Sequence, residues 1–302
     1  MSRINLIDLE YLKLLRPKDW AKNLFLFLPL FFGRRFNDVD ALLRVALGFV
    51  AFCFIASSIY IINDYRDRED DRKHPVKRKR PLASGAVSPR SALVICAILV
   101  VAGFAIALGI REKFAVVLAV YFLINLGYSL GLKAVPILDL ILLAAGFVLR
   151  IKGGSVISLV PLSEWIVIMV FLLAIFMAIG KRRDDVLLKL TTGADMRKSI
   201  KGYNLDLLNI LLALVSAIII VAYLMYCMDP ATITNMGTYR LYYTGVFVMA
   251  GIMRYLQIIY VSADAGSPTK ILYKDRFIQV TLLLWIASFI VILYLKNEHL
   301  FK

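Results

Sequence analysis

Cysteine and histidine are scarce, at three and two residues. Cys53, Cys96 and Cys227 each lie inside an apolar run. An odd number so placed gives neither a disulfide framework nor metal-ligand spacing. His74 and His299 are too far apart in sequence to suggest a metal cluster. Acidic residues number only 21 against 36 Lys and Arg, for a formal net charge of +15. Polar linkers, low-complexity tracts and clear repeats are missing too, so residues 1–302 read as a single domain. Asp8 and Glu10 stand where the apolar core of a cleavable signal would lie, so none is expected.

Apolar residues are abundant: 61% of the chain, with a mean hydropathy of +0.77. Soluble domains run at about 45–50% apolar with glycine included. A soluble two-domain protein and a disordered chain are therefore excluded. So is nucleic acid as a partner, because a soluble basic surface does not come with runs long enough to cross a bilayer. The remaining class is an all-α, polytopic membrane helical bundle with basic polar loops.

A bilayer core takes about 20 apolar residues per helix. Nine candidate spans are expected, at 20–33, 41–63, 91–110, 114–130, 135–151, 165–180, 205–228, 241–262 and 277–295. Residues 1–16 mix Leu and Ile with charge and suggest an amphipathic helix lying along the lipid bilayer surface. With a cytoplasmic N-terminus, 25 basic residues fall on the cytoplasmic side and 10 on the other. The positive-inside rule then makes this a multi-pass protein of the cytoplasmic (inner) membrane. The two long polar loops, 64–90 and 181–204, face the cytoplasm and hold 16 basic residues.

The first of these loops opens with Asn63, Asp64, Asp67 and Asp71. The aspartates are spaced i, i+3, i+7, which puts three carboxylates on one helix face. Unpaired like charges repel, so a cation should compensate them. Oxygen donors of this kind suit Mg²⁺, which usually keeps waters and takes substrate phosphates as its other ligands. A solvated helix end is the alternative, with Arg66, Arg68 and Arg72 paired to the acids. Beyond the acids stand Arg72, Lys73, Lys77, Arg78, Lys79 and Arg80. Neighbouring acid and base clusters match a Mg²⁺–diphosphate ligand, the metal on carboxylates and the free oxygens on Lys and Arg. Ionisable residues inside spans are costly and face the bundle interior or a water-filled cavity, either as structural partners of a neighbouring helix or as site residues. Asp139 and Arg150 share a face three turns apart, and Arg254 stands alone in the eighth span.

Asn63-Asp-x-x-Asp67-x-x-x-Asp71 resembles the first aspartate-rich motif of the UbiA superfamily of intramembrane prenyltransferases. Arg16-Pro17-Lys18-Asp19-Trp20-Ala21-Lys22-Asn23 resembles the motif that opens the first helix of that superfamily. Tyr128-Ser129-Leu130-Gly131-Leu132-Lys133 is similar to its Tyr-Ser-x-x-Leu-Lys element. The resemblance implies catalytic and metal-binding roles for Asp64, Asp67 and Asp71, with Asn63 as a further Mg²⁺ ligand. It also implies phosphate-binding roles for Lys22, Arg72, Lys77, Arg80, Tyr128 and Lys133.

Quinone-type members carry a second motif, Asp-x-x-x-Asp, after the sixth helix. Here the segment is Gly180-Lys181-Arg182-Arg183-Asp184-Asp185, without an acid three or four residues on. With Arg197-Lys198-Ser199 and Gly146-Phe147-Val148-Leu149-Arg150, it resembles the branch of polyprenyl-phosphate phosphoribosyltransferases. That branch implies 5-phosphoribosyl 1-diphosphate and a polyprenyl phosphate as substrates, and a place in lipid-linked pentose and cell-envelope biosynthesis. Those substrates bring extra phosphates, and Lys181, Arg182, Asp185, Arg197, Lys198 and Arg150 become binding residues for them. Guanidinium groups suit bidentate phosphate contacts. Prenyl transfer to an aromatic or quinone precursor is the alternative within the superfamily, and transport of phosphorylated lipids the alternative outside it. Self-association stays open.

Overall fold

A computed structural model describes residues 3–33, 35–73, 77–192, 200, 202–261, 271 and 274–294. Among them every regular element is helical. The chain forms two compact units, Met1–Ser163 and Glu164–Lys302.

In the first unit, α1 (Arg3–Leu15) leads into a 3₁₀ segment, Pro17–Phe27, and the short α2 (Leu28–Phe32). Then come α3 (Val39–Lys73), α4 (Pro81–Ser84), α5 (Pro89–Ile110), α6 (Glu112–Leu130) and α7 (Leu138–Ser158). The 35 residues of α3 give it a length of about 52 Å. That exceeds the ~30 Å hydrocarbon core, so one continuous helix can both cross the bilayer and carry its acidic end beyond it. The polar stretch expected as a loop from residue 64 therefore starts as helix, because nothing between Asn63 and Lys73 breaks it. Leu26, Phe52, Ile55, Phe114, Leu118 and Ile157 form the main core. A second cluster seats Leu14 of α1 against Ile61, Leu82 and Val87.

The expected first span takes an unusual form. Arg16 lies in the left-handed region (φ 53°, ψ 57°) and turns the chain out of α1, and Pro17 then starts the 3₁₀ segment. Runs of 3₁₀ helix beyond three or four residues are uncommon. Here tertiary contacts hold 11 residues. The Trp20 indole Nε1–H donates to Ser57 Oγ at 3.0 Å, and Ser57 in turn donates to the Leu15 carbonyl at 2.8 Å. Asn23 Nδ2 donates to Cys53 Sγ at 3.2 Å. Farther along, the Leu26 backbone lies against Gly154, and Arg35 donates to the Ser158 carbonyl. Together with Arg16 bonded to Asp64 and Asn23 bonded to Arg150, these contacts descend from Asp64 to Cys53 on α3, then from Arg150 to Ser158 on α7. At 1.5 Å per residue that travel is about 28 Å, close to a bilayer core.

The second unit contains α8 (Glu164–Thr192), α9 (Leu205–Met228), α10 (Pro230–Met236), α11 (Gly245–Val261) and α12 (Arg276–Tyr294). The Asn204 side chain caps α9 by accepting from the Leu207 amide, and Asp229 caps α10 through Thr232. Trp285 Nε1–H donates to the Tyr223 hydroxyl, which also bonds Thr244 Oγ1. Residues 181–192, expected as loop, are the last three turns of α8.

Among the described residues seven helices are long and apolar enough to cross a membrane, and the apolar stretch 276–292 is shorter. Val94, Ile98, Val101 and Leu108 form an exposed stripe on α5, as do Ile210, Leu214, Val221 and Met228 on α9. Exposed apolar stripes of that length suit lipid as solvent. This is an integral membrane protein.

Candidate active site

The acidic end of α3 is built by elements that reach back to it within the first unit. Asp64 and Asp71 are buried, at 3% exposure each, yet neither is an uncompensated charge. Arg16 Nη2 donates to both oxygens of Asp64, at 2.6 and 2.7 Å. The Arg16 guanidinium also lies over the Tyr60 ring. Arg80 Nη1 bridges Asp64 Oδ1 at 3.1 Å and Asp71 Oδ2 at 2.7 Å. Lys133 Nζ donates to Asn63 Oδ1 at 2.9 Å and to both oxygens of Asp67, at 3.0 and 2.7 Å. Lys133 can do so because Gly131 ends α6 at φ 151°, and the 3₁₀ turn Leu132–Ala134 swings it back onto α3. Ser129 anchors the same turn by accepting from Arg66 through its carbonyl.

The alternative pairing of these aspartates with Arg66, Arg68 and Arg72 does not form. Arg66 is taken by Ser129, Arg68 by the Tyr65 carbonyl and ring, and Arg72 by Glu69 and the Ala83 carbonyl. The cations instead come from distant parts of the chain. Asn63, Asp64, Asp67, Asp71, Arg80 and Lys133 are thus brought together as the sequence suggests. Arg16, which was not expected as a site residue, joins them; its signal was its place at the head of the Arg-Pro motif. Tyr128 and Lys77 are half-buried, whereas Arg72 is exposed. Lys22 is exposed and pairs with Asp19 at 2.6 Å.

Arg150 is not at this end. It lies at mid-length of α7, which runs on to Ser158 instead of ending near residue 151. Its Nε donates to Asn23 Oδ1 and its Nη2 to the Tyr121 hydroxyl, both at 2.8 Å, and its Nη1 to the Gly146 carbonyl at 2.9 Å. The rings of Tyr121 and Phe147 flank it. Asn23 touches Cys53, eleven residues from Asp64 along α3, so Arg150 sits about 16 Å deeper than the acids. It pins the 3₁₀ segment to α7. Asp139 is fully buried at the start of α7.

In the second unit Lys181 is exposed, while Arg182 is fully buried with Asp185 3.5 Å away. Arg197 and Lys198 lie outside the described residues. Arg254 holds Asp275 through Nη2 at 2.7 Å.

Among the described residues no three acidic, His or Cys groups converge into a ready metal cage. The carboxylates point to cations instead. Mg²⁺ usually binds one or two carboxylates and completes its shell with water and substrate phosphate, so three convergent groups are not required. Hard oxygens of Asp64, Asp67, Asp71 and Asn63 on one face fit that donor set.

The fold and the site define an all-helical intramembrane protein with an aspartate-rich helix end closed by basic side chains. The chain belongs to the UbiA prenyltransferase family, whose model matches residues 25–281. It is 34% identical over 286 residues to a decaprenyl-phosphate phosphoribosyltransferase of Mycolicibacterium smegmatis, covering 92% of this chain and 90% of that protein. It is 34% identical to the protein of the same name from Corynebacterium glutamicum, covering 96% and 88%. A UbiA homolog from Archaeoglobus fulgidus, solved with DMAPP and Mg²⁺, superposes with a TM-score of 0.71 at 25% identity, covering 94% of this chain and 99% of that one.

Proposed function

We propose that this protein transfers a 5-phosphoribosyl group from 5-phosphoribosyl 1-diphosphate to a polyprenyl phosphate of the decaprenyl type, releasing diphosphate. The similarity to two phosphoribosyltransferases along nearly the whole chain carries this reading. A family-wide aspartate motif with basic partners in place supports it. Its acidic end faces the cytoplasm of the inner membrane, in keeping with the distribution of basic residues.

Mg²⁺, held by one or two of Asp64, Asp67 and Asp71 with Asn63 beside them, supplies charge neutralisation at the departing diphosphate. Arg80 and Lys133 already stand at the acids, and both can exchange a carboxylate oxygen for a phosphate oxygen as the donor arrives. Lys77 and Tyr128 add contacts around them. As the C1–O bond to diphosphate breaks, its electron pair leaves with the diphosphate. Fixed cations there favour the transition state over the ground state. The sugar becomes oxocarbenium-like at C1. A lipid phosphate oxygen attacks C1 from the opposite face, so the product has inverted configuration. A phosphate monoester has a second pKa of about 6 and is ionised at neutral pH, so no strong general base is required. Lys181, Arg182, Asp185, Arg197 and Lys198 serve the remaining phosphates.

The test is direct. Purified protein with radiolabelled 5-phosphoribosyl 1-diphosphate, Mg²⁺ and polyprenyl phosphate should yield lipid-linked phosphoribose, and Asp64→Ala should abolish it. Wild-type protein that makes no product overturns the reading. So does a fully active Asp64→Ala, or a prenylated aromatic product with the phosphoribosyl donor inert.

A further inference from the structure

Three consecutive cations, Lys181, Arg182 and Arg183, end the apolar part of α8, and they are not alike. Lys181 is exposed to solvent. Arg182 has Asp185 nearby. Arg183 is 7% exposed, and no carboxylate among the described residues lies within ion-pair distance of it. Its Nε donates to Asn209 Oδ1 on α9 at 2.8 Å, and its guanidinium lies 5.2 Å from the Tyr260 ring centre on α11. Both are neutral. Its Nη1 is buried and has no hydrogen-bond partner among the described residues. The same is true of the hydroxyl of Tyr255, 6% exposed and also on α11. The Tyr255 ring packs on Phe176, which lies two turns before Arg183 on the same face of α8. The hydroxyl of Tyr260 is already engaged, donating to the Asn209 carbonyl.

A guanidinium does not lose its proton in a protein, so burial cannot neutralise Arg183. A buried charge is tolerated when it is paired, and a buried donor when it is hydrogen-bonded. Arg183 meets neither condition in full, and Tyr255, packed against the same face of α8, adds a second unmet donor. The position limits what could answer them. Arg183 is nineteen residues into α8, about 28 Å from its start, so it sits at one end of a bilayer-spanning helix, at headgroup depth. An anion there with several acceptor oxygens is a phosphate.

We propose that Arg183 and Tyr255 form a phosphate-binding site, with Arg183 Nη1 and the Tyr255 hydroxyl donating to one phosphate group of a phosphorylated substrate. Asn209 and Tyr260 are positioning residues that hold the guanidinium with its Nη1 edge free. The site deepens the function proposed above and rests on it for the identity of the ligand. The shared chemistry is a phosphate monoester, carried by a polyprenyl phosphate or by the ribose 5-phosphate end of the donor.

The test measures binding without turnover. Thermal unfolding of the full chain in detergent is followed with inorganic phosphate, ribose 5-phosphate, and farnesyl phosphate against farnesol. At least one phosphate should stabilise the wild type. Ribose 5-phosphate acting alone assigns the site to the sugar donor, and farnesyl phosphate exceeding farnesol assigns it to the lipid. Arg183→Met should lose that stabilisation while the ligand-free protein keeps or gains stability, because an unpaired buried charge has been removed. Tyr255→Phe should lose part of it. In the transfer assay both variants should raise KM for one substrate by about tenfold, the worth of a charged hydrogen bond, and leave the other KM unchanged. A wild type stabilised by no phosphate overturns the proposal. So does Arg183→Met that destabilises the ligand-free protein yet retains the phosphate response, or unchanged KM values in both variants. Transfer with unaltered KM values removes the site alone; phosphate binding without any transfer removes the proposed reaction alone.

Discussion

Arg80→Met is the sharpest probe of the acidic helix end. Arg80 joins Asp64 and Asp71, but only Asp71 depends on it, since Asp64 keeps Arg16. Removing one partner of a buried ion pair costs about 3–5 kcal/mol. The Arg80 side chain is 27% exposed, so water screens the loss and about 2 kcal/mol is expected. In a chain of 302 residues that lowers Tm by about 3 °C. The carboxylate of Asp71 is then free to take a cation, so Mg²⁺ should bind the variant more tightly than the wild type, where it must displace Arg80. At a hundredfold excess over Kd, bound metal returns about 2.7 kcal/mol, which more than offsets the loss and brings Tm slightly above that of the metal-free wild type. Thermal unfolding in detergent, titrated with Mg²⁺, measures both quantities. Equal Mg²⁺ shifts in the variant and wild type, or none in either, would refute the competition between Arg80 and metal and with it the reading of this face as a metal site.

Gly154→Ala should be severe, because a Cβ there would meet the Leu26 carbonyl oxygen at 2.0 Å. Overpacking of this kind costs about 1–3 kcal/mol, and it should appear as lower Tm and a weakened 3₁₀ segment. Gly109→Ala, with nothing within 4 Å, is the control and should be neutral or mildly stabilising. Asn23→Ala leaves the Arg150 Nε–H without its acceptor and should cost about 1–3 kcal/mol by the same measurement. Asp275 has its pKa held below the ordinary carboxylate value, first by the hydrogen bond from Arg254 and further by the Ile278 amide. Its stabilising contribution is therefore complete above the ordinary value and is lost as pH falls through the lowered folded value. Arg254→Gln should move that loss toward the ordinary carboxylate pKa, read as Tm against pH.

The helices and the acidic motif were legible because they are local. Apolar runs set the spans, and the spacing of Asp64, Asp67 and Asp71 set their common face. The partners were not legible in the same way, since Arg16, Arg80 and Lys133 lie 48, 16 and 66 residues from the acids they bind. Near neighbours were misleading. Arg66 and Arg72 stand next to acids in sequence, but adjacent helical residues do not face each other. Arg68 has helical spacing to both Asp64 and Asp71, yet it turns onto Tyr65. The 3₁₀ segment was hidden because an apolar run reads alike at three or 3.6 residues per turn. The expected span 135–151 put Arg150 at its end, whereas α7 runs about two further turns to Ser158. Gly154 there is where the Leu26 backbone rests on α7, and Gly153 packs on the Phe52 and Phe114 rings.

The pairing of Asp64, Asp67 and Asp71 with residues 16, 80 and 133 also fixes an order of events during synthesis. Chains emerge N-terminal end first, and compact units form as they appear. Once Lys133 has been made, every side-chain cation paired with the three carboxylates among the described residues exists, before any residue of Glu164–Lys302 has been added. The nascent protein thus never needs its second half to shelter its most acidic turn at the membrane surface.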